Sequence, residues 1–160
     1  MRPNEIENLS FEIIDREAGH HDFDAEQWAI VRRMIHTTAD FEYKDDVRFH
    51  PNAIENGIKA IQRGKAIITD TNMVRVGIRS KELNKYGVTV KCFVDDPEVH
   101  KKASTNGTTR AEAAVDAAVS EMKDGIYAIG NAPTALLRLI ELVQGPNAVV
   151  SEGWLVEVPL

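Results

Sequence analysis

The sequence from Ile126 to Gln144 reads IYAIGNAPTALLRLIELVQ, and it predicts a strand, a tight turn and a helix in direct succession. The apolar run at its start is typical of a buried strand, and Gly130 permits a sharp bend after it. Pro133 suits the first turn of a helix, and apolar residues then recur at helical spacing. We therefore expect a strand over Ile126–Ile129 and a helix over Pro133–Gln144.

Three other short apolar runs predict strands at Ala66–Thr69, Val88–Val94 and Ala148–Val150. Helical segments separate the strands: SKELNKYG fills the first gap, and a longer helix from Thr109 to about Lys123 fills the second. Strands that alternate with helical crossovers must pair in parallel. The expected fold class is α/β, with an open, mainly parallel sheet in three layers and helices on both faces.

Three helices are predicted before these strands, over Pro3–Ala18, from Asp24 to about His36, and from Pro51 to Gly64. In the first, the apolar residues are Ile6, Leu9 and Ile13. In the second, Asp24 is expected to cap the helix together with Gln27, three residues later. The apolar face of this second helix is expected to comprise Trp28, Val31 and Ile35.

The chain has 160 residues, of which 43% are hydrophobic, and it is expected to form one globular domain over residues 1–160. With 19 Lys and Arg against 25 Asp and Glu, its net charge is −6. This acidic balance opposes unspecific binding to nucleic acid and anionic lipid, and no run approaches the ~18 apolar residues of a membrane helix. No nucleic-acid or membrane partner is therefore expected.

The single cysteine, Cys92, has no disulfide partner within the chain, and the N-terminal sequence MRPNEIEN lacks the features of a signal peptide. A reducing cytoplasm is the expected compartment. Cys92 lies mid-strand in an alternating apolar pattern, where cysteine is usually a small buried hydrophobic residue. We assign it no chemistry.

Polar residues follow each of the first three predicted strands, at the edge where ligands bind in open parallel sheets. Asp70 follows the first strand, Asp95 the second and Asn131 the third. The helix starts near Asn131 and Thr109 offer backbone N–H groups to an anion, and Arg110 adds a guanidinium that can grip an oxyanion. The alternative is that the helix starts near Asn131 and Thr109 are ordinary capped helix starts that bind no anion. When each helix start is considered by itself, its sequence favours this second interpretation.

Metal and nucleotide chemistry lack their motifs. The five histidines include no pair at the i, i+4 spacing of a helical metal site, and there is only one thiol. Gly64-Lys65-Ala66 lacks the hydroxyl of a phosphate-binding Walker loop, and neither GxGxxG nor GxSxG occurs. No metal or nucleotide cofactor is expected.

His36 is the candidate general acid. It lies in RRMIHTTADFEY, Arg32–Tyr43, where a basic pair, two threonines and an acid accompany it at the end of a predicted helix. The carbonyl end of a helix favours the imidazolium, and Asp40 is expected to bind a ring nitrogen and add to that preference. The alternative is a histidine that caps the helix and needs no substrate, and the residues alone favour that role.

The chain contains RRMIHTTADFEY at Arg32–Tyr43, DTNMV at Asp70–Val74, TTRAEAA at Thr108–Ala114 and GNAPTALLRLIEL at Gly130–Leu142. In this order the four motifs resemble the precorrin-8X methylmutase family, also called precorrin isomerase, and the likeness extends from about Ile6 to Pro146. It implies a precorrin isomerase-like fold and an isomerase of cobalamin biosynthesis. Such an enzyme shifts a methyl group between adjacent carbons of ring C. It converts precorrin-8X, or its cobalt form, into hydrogenobyrinic or cobyrinic acid.

The resemblance also implies the residues of the site. His36 matches the family's catalytic histidine, which would place a proton on the macrocycle, and a methyl shift within one molecule needs no cofactor. The implied substrate-binding residues are Arg33, Thr37, Thr38, Asp40, Asp70, Met73, Thr109, Arg110, Asn131 and Ala132.

Each of these residues has an expected task. The two arginines and the helix starts at Thr109 and Asn131 would bind the carboxylates around the substrate's rim, while Met73 and Ala132 meet its apolar face. Asp70 and the two threonines would orient His36 or contact the ring. The resemblance further implies a homodimer with its active site near the subunit boundary.

The chain departs from the family after Pro146. Members usually continue with a Pro-Val-Gly-Phe-Val segment and a Glu-Ser-Lys motif, whereas here the sequence reads NAVVSEGWLVEVPL from Asn147 to Leu160. A turn that lines the site and a closing helix are therefore expected to be missing. The apolar tail Trp154–Leu160 needs cover from this domain's sheet or from another subunit.

Two other functions compete with the isomerase. The atypical C-terminus favours a corrinoid-binding protein without catalysis, and the Asn131 turn alone would fit a flavodoxin-like module that binds a phosphate ligand. An isomerase converts added precorrin-8X, whereas a corrinoid-binding protein without catalysis binds it unchanged. A flavodoxin-like module does not bind it.

Overall fold

The computed structural model describes residues 2–144 and 154–157. The chain divides into two compact units, Met1–Ile54 and Glu55–Leu160. A single domain over residues 1–160 stays a prediction. Within the described residues, no helix combines the length and apolarity that a bilayer crossing requires.

The first unit is helical. It contains α1 (Pro3–Ala18), α2 (Ala25–Thr38), the short α3 (Tyr43–Asp46) and the start of α4 (Ala53–Gln62). The predicted bounds of α1 are confirmed, α2 runs two residues beyond His36, and α3 was not predicted. The Asp24 cap is confirmed, because its carboxylate accepts the N–H groups of Glu26 and Gln27 at 2.9 Å each.

The apolar residues that predict α1 are not the ones it buries. Ile6, Leu9 and Ile13 are exposed, the first of them by 56%. Ile14 is buried instead, in a cluster with Val31 and Ile35 of α2. Aromatic side chains surround this cluster, namely Phe11, Phe23, Trp28, Phe41, Tyr43 and Phe49. α1 carries two apolar faces, and only the one with Phe11 and Ile14 belongs to this core.

The second unit is built on a four-stranded parallel sheet in the order β2-β1-β3-β4. Its strands are β1 (Ile67–Thr69), β2 (Val90–Cys92), β3 (Ile126–Ile129) and β4 (Trp154–Glu157). Parallel pairing and the α/β class are confirmed. The strand predicted at Ala148–Val150 lies outside the described residues. Residues Trp154–Glu157 of the tail form β4, whose backbone pairs with β3. The cover of the tail's apolar side chains stays a prediction.

The helices of this unit are α5 (Asn72–Gly77), α6 (Ser80–Leu83), α7 (Pro97–Asn106), α8 (Arg110–Ala118) and α9 (Pro133–Gln144), with a 3₁₀ turn at Asn84–Tyr86. The bounds of α9 are confirmed, and α8 ends earlier than expected. Neither α5 nor α7 was predicted. α7 buries only Val99 and Ala103, so its sequence carries little apolar periodicity.

Helices cover both faces of the sheet, as expected. On one face Ile68, Tyr127 and Ile129 pack in a core with Val115 of α8 and Leu139 of α9. The neighbouring side chains on the same strands, Ile67, Ile126 and Ala128, pack in a second core with Ala60 of α4. Successive strand residues point to opposite faces, so this alternation separates the two outer layers.

Gly64 allows a close backbone approach that an alanine would obstruct. Its φ is +67°, and a Cβ there would lie 2.8 Å from the carbonyl oxygen of Tyr86. Gly87 has a similar φ of +74°, but a Cβ would meet nothing within 4 Å. Both alanine variants bear the left-handed cost of roughly 1–2 kcal/mol, and only Gly64→Ala adds an overpacking cost of roughly 1–3 kcal/mol.

We therefore expect Gly64→Ala to lower the free energy of unfolding clearly more than Gly87→Ala in urea denaturation. Equal losses in the two variants would contradict the close contact.

Candidate active site

His36 lies in the last turn of α2, one residue after the buried Ile35. α2 continues to Thr38 and ends at Ala39, whose φ of 58° is left-handed and whose N–H donates to the Ile35 carbonyl at 2.7 Å. His36 is therefore held on a regular helix beside the core of its unit. Its side chain is half-buried.

Two residues of α1 hold the imidazole. Ser10 Oγ lies 2.7 Å from His36 Nδ1, within hydrogen-bond distance. The ring of Phe11 meets the imidazole edge-on, with 5.2 Å between the ring centroids and 62° between the planes. Within the described part of the chain, Ser10 is the hydrogen-bond partner of the ring, and Nε2 makes no hydrogen bond. The geometry of His36 suits a group that exchanges a proton at Nε2.

The prediction that Asp40 binds a ring nitrogen of His36 is wrong. Asp40 Oδ1 accepts the backbone N–H of Glu42 at 2.9 Å instead. Because Ala39 turns the chain in a left-handed conformation, Asp40 no longer follows the helical spacing that would bring it beside His36. Nδ1 finds its partner on α1. A contact between Asp40 and a substrate stays a prediction.

The other candidates near His36 have local partners. Thr37 Oγ1 donates to the Arg33 carbonyl at 3.0 Å, and Thr38 Oγ1 donates to the Met34 carbonyl at 2.9 Å. The Arg33 guanidinium forms an ion pair with Glu7 and lies 4.9 Å from the centre of the Phe11 ring. Neither threonine is bonded to the imidazole, so neither orients it. All three side chains are exposed, and their contact with a substrate stays a prediction.

In the second unit, Asp70 joins the end of β1 to the turn after β3. Its Oδ2 accepts the backbone N–H groups of Asn131 at 2.9 Å and Ala132 at 2.8 Å. Asp70 is only 1% exposed, and a buried carboxylate needs such donors. The expectation that these N–H groups are free for an external anion is therefore wrong. The parallel pairing of β1 with β3 places the chain's own carboxylate there.

Two buried oxygen atoms near the Asp70 carboxylate lack a hydrogen-bond partner within the described residues. They are Asp70 Oδ1 and the hydroxyl oxygen of Tyr127. Burial, and then the negative charge of Asp70, raises the pKa of Tyr127 above its ordinary value. The phenol is therefore neutral and keeps its proton. Because Tyr127 lies in an apolar strand, the sequence pattern predicted it only as core.

The two predicted anion-binding helix starts are neighbours. The hydroxyl oxygens of Thr109, before α8, and Thr134, in the first turn of α9, are 3.1 Å apart. Thr109 also caps α8, since its N–H donates to Glu112 Oε2 at 2.8 Å and its Oγ1 accepts the Glu112 N–H. These hydrogen bonds, the one from the backbone first, lower the pKa of Glu112. The capping role is confirmed.

Arg110 and Met73 are the exposed candidates of the second unit. The Arg110 guanidinium lies 3.9 Å from Asp95 and 3.4 Å from the His100 ring, and more than half of its side chain is exposed. Met73, on α5, is 54% exposed. Both side chains are accessible to a ligand, although a ligand contact stays a prediction for each.

The structure thus places the candidates in two groups. Residues 1–54 hold Arg33, His36, Thr37, Thr38 and Asp40, and residues 55–160 hold Asp70, Met73, Thr109, Arg110, Asn131 and Ala132. Among the described side chains no set of three or more His, Cys, Asp or Glu could hold a metal ion.

Sequence reasoning missed Ser10. Ser10 precedes the buried Ile14 by one helical turn, so the two share a face of α1. A serine on the buried face of an amphipathic helix is only weak evidence of a functional residue. It becomes informative only once α1 is known to pack on α2.

Comparison with known proteins identifies relatives over almost the whole chain. The model of the family described as precorrin-8X methylmutase matches residues 5–155. The cobalt-precorrin-8 methylmutase of Priestia megaterium is 45% identical over 148 residues, which are 92% of this chain and 66% of that protein. The one from Leptospira interrogans is 44% identical, over 87% of this chain and 64% of its own length. This chain therefore spans slightly less than two thirds of these curated relatives.

Solved structures agree with the sequence relatives. A precorrin-8X methyl mutase from Thermus thermophilus superposes with a TM-score of 0.79 at 43% identity, covering 89% of this chain and 70% of that one. A precorrin-8X methylmutase related protein gives the same TM-score at 26% identity.

Proposed function

This chain belongs to the precorrin-8X methylmutase family, and from that premise we propose that it is an isomerase of cobalamin biosynthesis. It shifts a methyl group between adjacent carbons of ring C of precorrin-8X or its cobalt form, and the product is hydrogenobyrinic or cobyrinic acid. The names of its relatives include both forms of the substrate. The family resemblance is also our ground for proposing that it acts as a homodimer.

The geometry of His36 carries the mechanistic part of this proposal. Its imidazole is anchored at Nδ1 by Ser10, and Nε2 makes no hydrogen bond within the described residues. We propose that Nε2–H places a proton on the macrocycle and so promotes the migration of the methyl group. An isomerisation conserves atoms, so the substrate returns a proton once the methyl group has moved. His36 is then ready for another cycle.

We propose that charged side chains at the surface bind the substrate's carboxylates. Arg33 and Arg110 suit this task because both are exposed and both pair with carboxylates of their own chain. Exposed ion pairs contribute only ~0–1 kcal/mol, so a substrate carboxylate exchanges with Glu7 or Asp95 at little cost. Thr109 adds a hydroxyl to this set.

The remaining candidates have supporting tasks in the proposal. Met73 and Ala132 meet the apolar face of the ring, and Asn131 contributes its side-chain amide, because its backbone N–H is bonded to Asp70. Thr37, Thr38 and Asp40 contact the substrate. Asp70 acts by fixing the turn that carries Asn131 and Ala132.

An anaerobic spectral titration tests the proposed activity. Precorrin-8X and its cobalt form are each added to the protein, and the visible spectrum is followed over time. We expect the spectrum of the added compound to change progressively into that of the isomer, beyond one equivalent of protein. A change that stops at one equivalent would identify a corrinoid-binding protein without catalysis. No change at all would contradict corrinoid binding as well.

A further inference from the structure

The hydrogen bond between Ser10 and His36 joins α1 to α2. The two bonded atoms lie 2.7 Å apart although the residues are 26 positions apart in sequence, and the bond is partly buried. α1 brings Ser10 there because Ile14, one turn later, packs in the core with Val31 and Ile35. Phe11, next to Ser10, makes an edge contact with the imidazole. The bond is therefore fixed by the packing of two helices.

The bonding of Ser10 differs from that of the threonines nearby. Thr37 and Thr38 donate to carbonyls four residues earlier on their own helix, which is the usual partner of a hydroxyl inside a helix. Within the described contacts, Ser10 Oγ bonds only to His36 Nδ1. The hydroxyl of Ser10 therefore forms its hydrogen bond with the imidazole of the neighbouring helix and not with its own helix.

Resting on the proposed function, we propose that Ser10 is a positioning residue that keeps a proton on Nδ1 of His36 and so reserves Nε2 for exchange with the substrate. In the imidazolium, Nδ1–H donates to Ser10 Oγ and Nε2–H is the proton that is transferred. After the transfer, Nδ1–H still donates to Ser10, and Nε2 is the acceptor for the returning proton.

A serine suits this cycle better than a carboxylate. The hydroxyl is neutral, so it does not favour the imidazolium over the neutral ring as strongly as a negative charge would. The hydroxyl also fixes the orientation of the ring, together with the edge contact between the imidazole and the ring of Phe11. Ser10 therefore sets which nitrogen reacts.

The test combines ¹⁵N NMR of the histidine rings with kinetics on the full chain. At a pH where His36 is neutral, we expect its Nδ1–H tautomer to predominate in the wild-type protein. In Ser10→Ala, the Nε2–H tautomer should predominate instead. Neither spectrum requires substrate, so this part of the test is independent of the proposed activity.

The kinetic part uses Ser10→Ala, Ser10→Thr and the control Ser120→Ala, whose serine is exposed. We expect Ser10→Ala to lower kcat about tenfold, with KM within about twofold of the wild type. Ser10→Thr keeps the hydroxyl and should restore most of kcat, and Ser120→Ala should match the wild type. Circular dichroism confirms that each variant is folded.

The inference is overturned if the tautomer is the same in the wild type and in Ser10→Ala, or if it is Nε2–H in the wild type. It is also overturned if the tautomer changes while kcat does not. A wild-type protein that fails to convert precorrin-8X refutes the proposed function instead, and the NMR result then still decides whether Ser10 sets the tautomer.

Discussion

His36→Ala is expected to lower the rate of methyl migration by roughly 10²–10⁴-fold, the contribution typical of a positioned general acid. Substrate binding should change little, because the carboxylates of the substrate are held elsewhere in the proposal. A single-turnover assay under anaerobic conditions measures the rate, and the quenching of protein fluorescence by the bound corrinoid measures Kd. The loss should therefore be confined to the chemical step.

The matched control for this prediction is His20→Ala, since His20 is almost fully exposed and pairs only loosely with Asp22. It should retain the wild-type rate and affinity. His36→Ala should also stay folded, because the half-buried imidazole lies beside the core formed by Ile14, Val31 and Ile35 and is not part of it. If the rate of methyl migration in His36→Ala is within threefold of the wild-type rate, His36 is not the general acid and has only a structural role.

Asp70→Ala should give the largest loss of stability among single substitutions around the candidate site. It removes the acceptor of the Asn131 and Ala132 N–H groups, and each N–H left unsatisfied costs roughly 1–3 kcal/mol. For the two groups together we expect the free energy of unfolding to fall by roughly 2–6 kcal/mol in urea denaturation. The turn after β3 would lose its link to the end of β1.

Asp70→Asn separates the hydrogen bonds from the charge. The amide oxygen can still accept both N–H groups, and the neutral side chain lowers the cost of burying a charge whose Oδ1 has no partner among the described residues. The asparagine variant should therefore lose much less stability than the alanine variant. Asp22→Ala, at an exposed position, is the control and should be neutral. Equal losses for the alanine and asparagine variants would show that the charge, and not the two hydrogen bonds, stabilises the turn.

The parts of the fold predicted correctly are those with a local signal. The stretch from Ile126 to Gln144 carries an apolar run, a glycine and a proline in succession, and the strand and helix follow their predicted bounds. α7 was missed because its short buried face, Val99 and Ala103, hardly differs from a polar loop in sequence. The strand at Trp154–Glu157 that pairs with β3 was not predicted, and the strand predicted at residues 148–150 lies outside the described residues.

The candidate site was predictable as a set of residue types, but its bonds were not. Nothing local to His36 indicates Ser10, because the contact arises only when α1 packs on α2. Helical spacing puts Asp40 one turn after His36, but the left-handed Ala39 ends the helix between them. The local sequence gives the N–H groups near Asn131 no partner, whereas the pairing of β1 with β3 brings Asp70 to them. In each case a contact between distant segments decided the outcome.

The movement of the methyl group is the most direct test of the proposed function. Precorrin-8X carrying ¹³C in the ring C methyl group is incubated anaerobically with the protein, and the compound is then examined by ¹³C NMR and mass spectrometry. We predict that the labelled methyl resonance moves to a new position while the mass stays the same, and that His36→Ala suppresses this change. A labelled resonance that stays in place, with protein in excess over substrate, would contradict the assignment of this chain as a methyl-shifting isomerase.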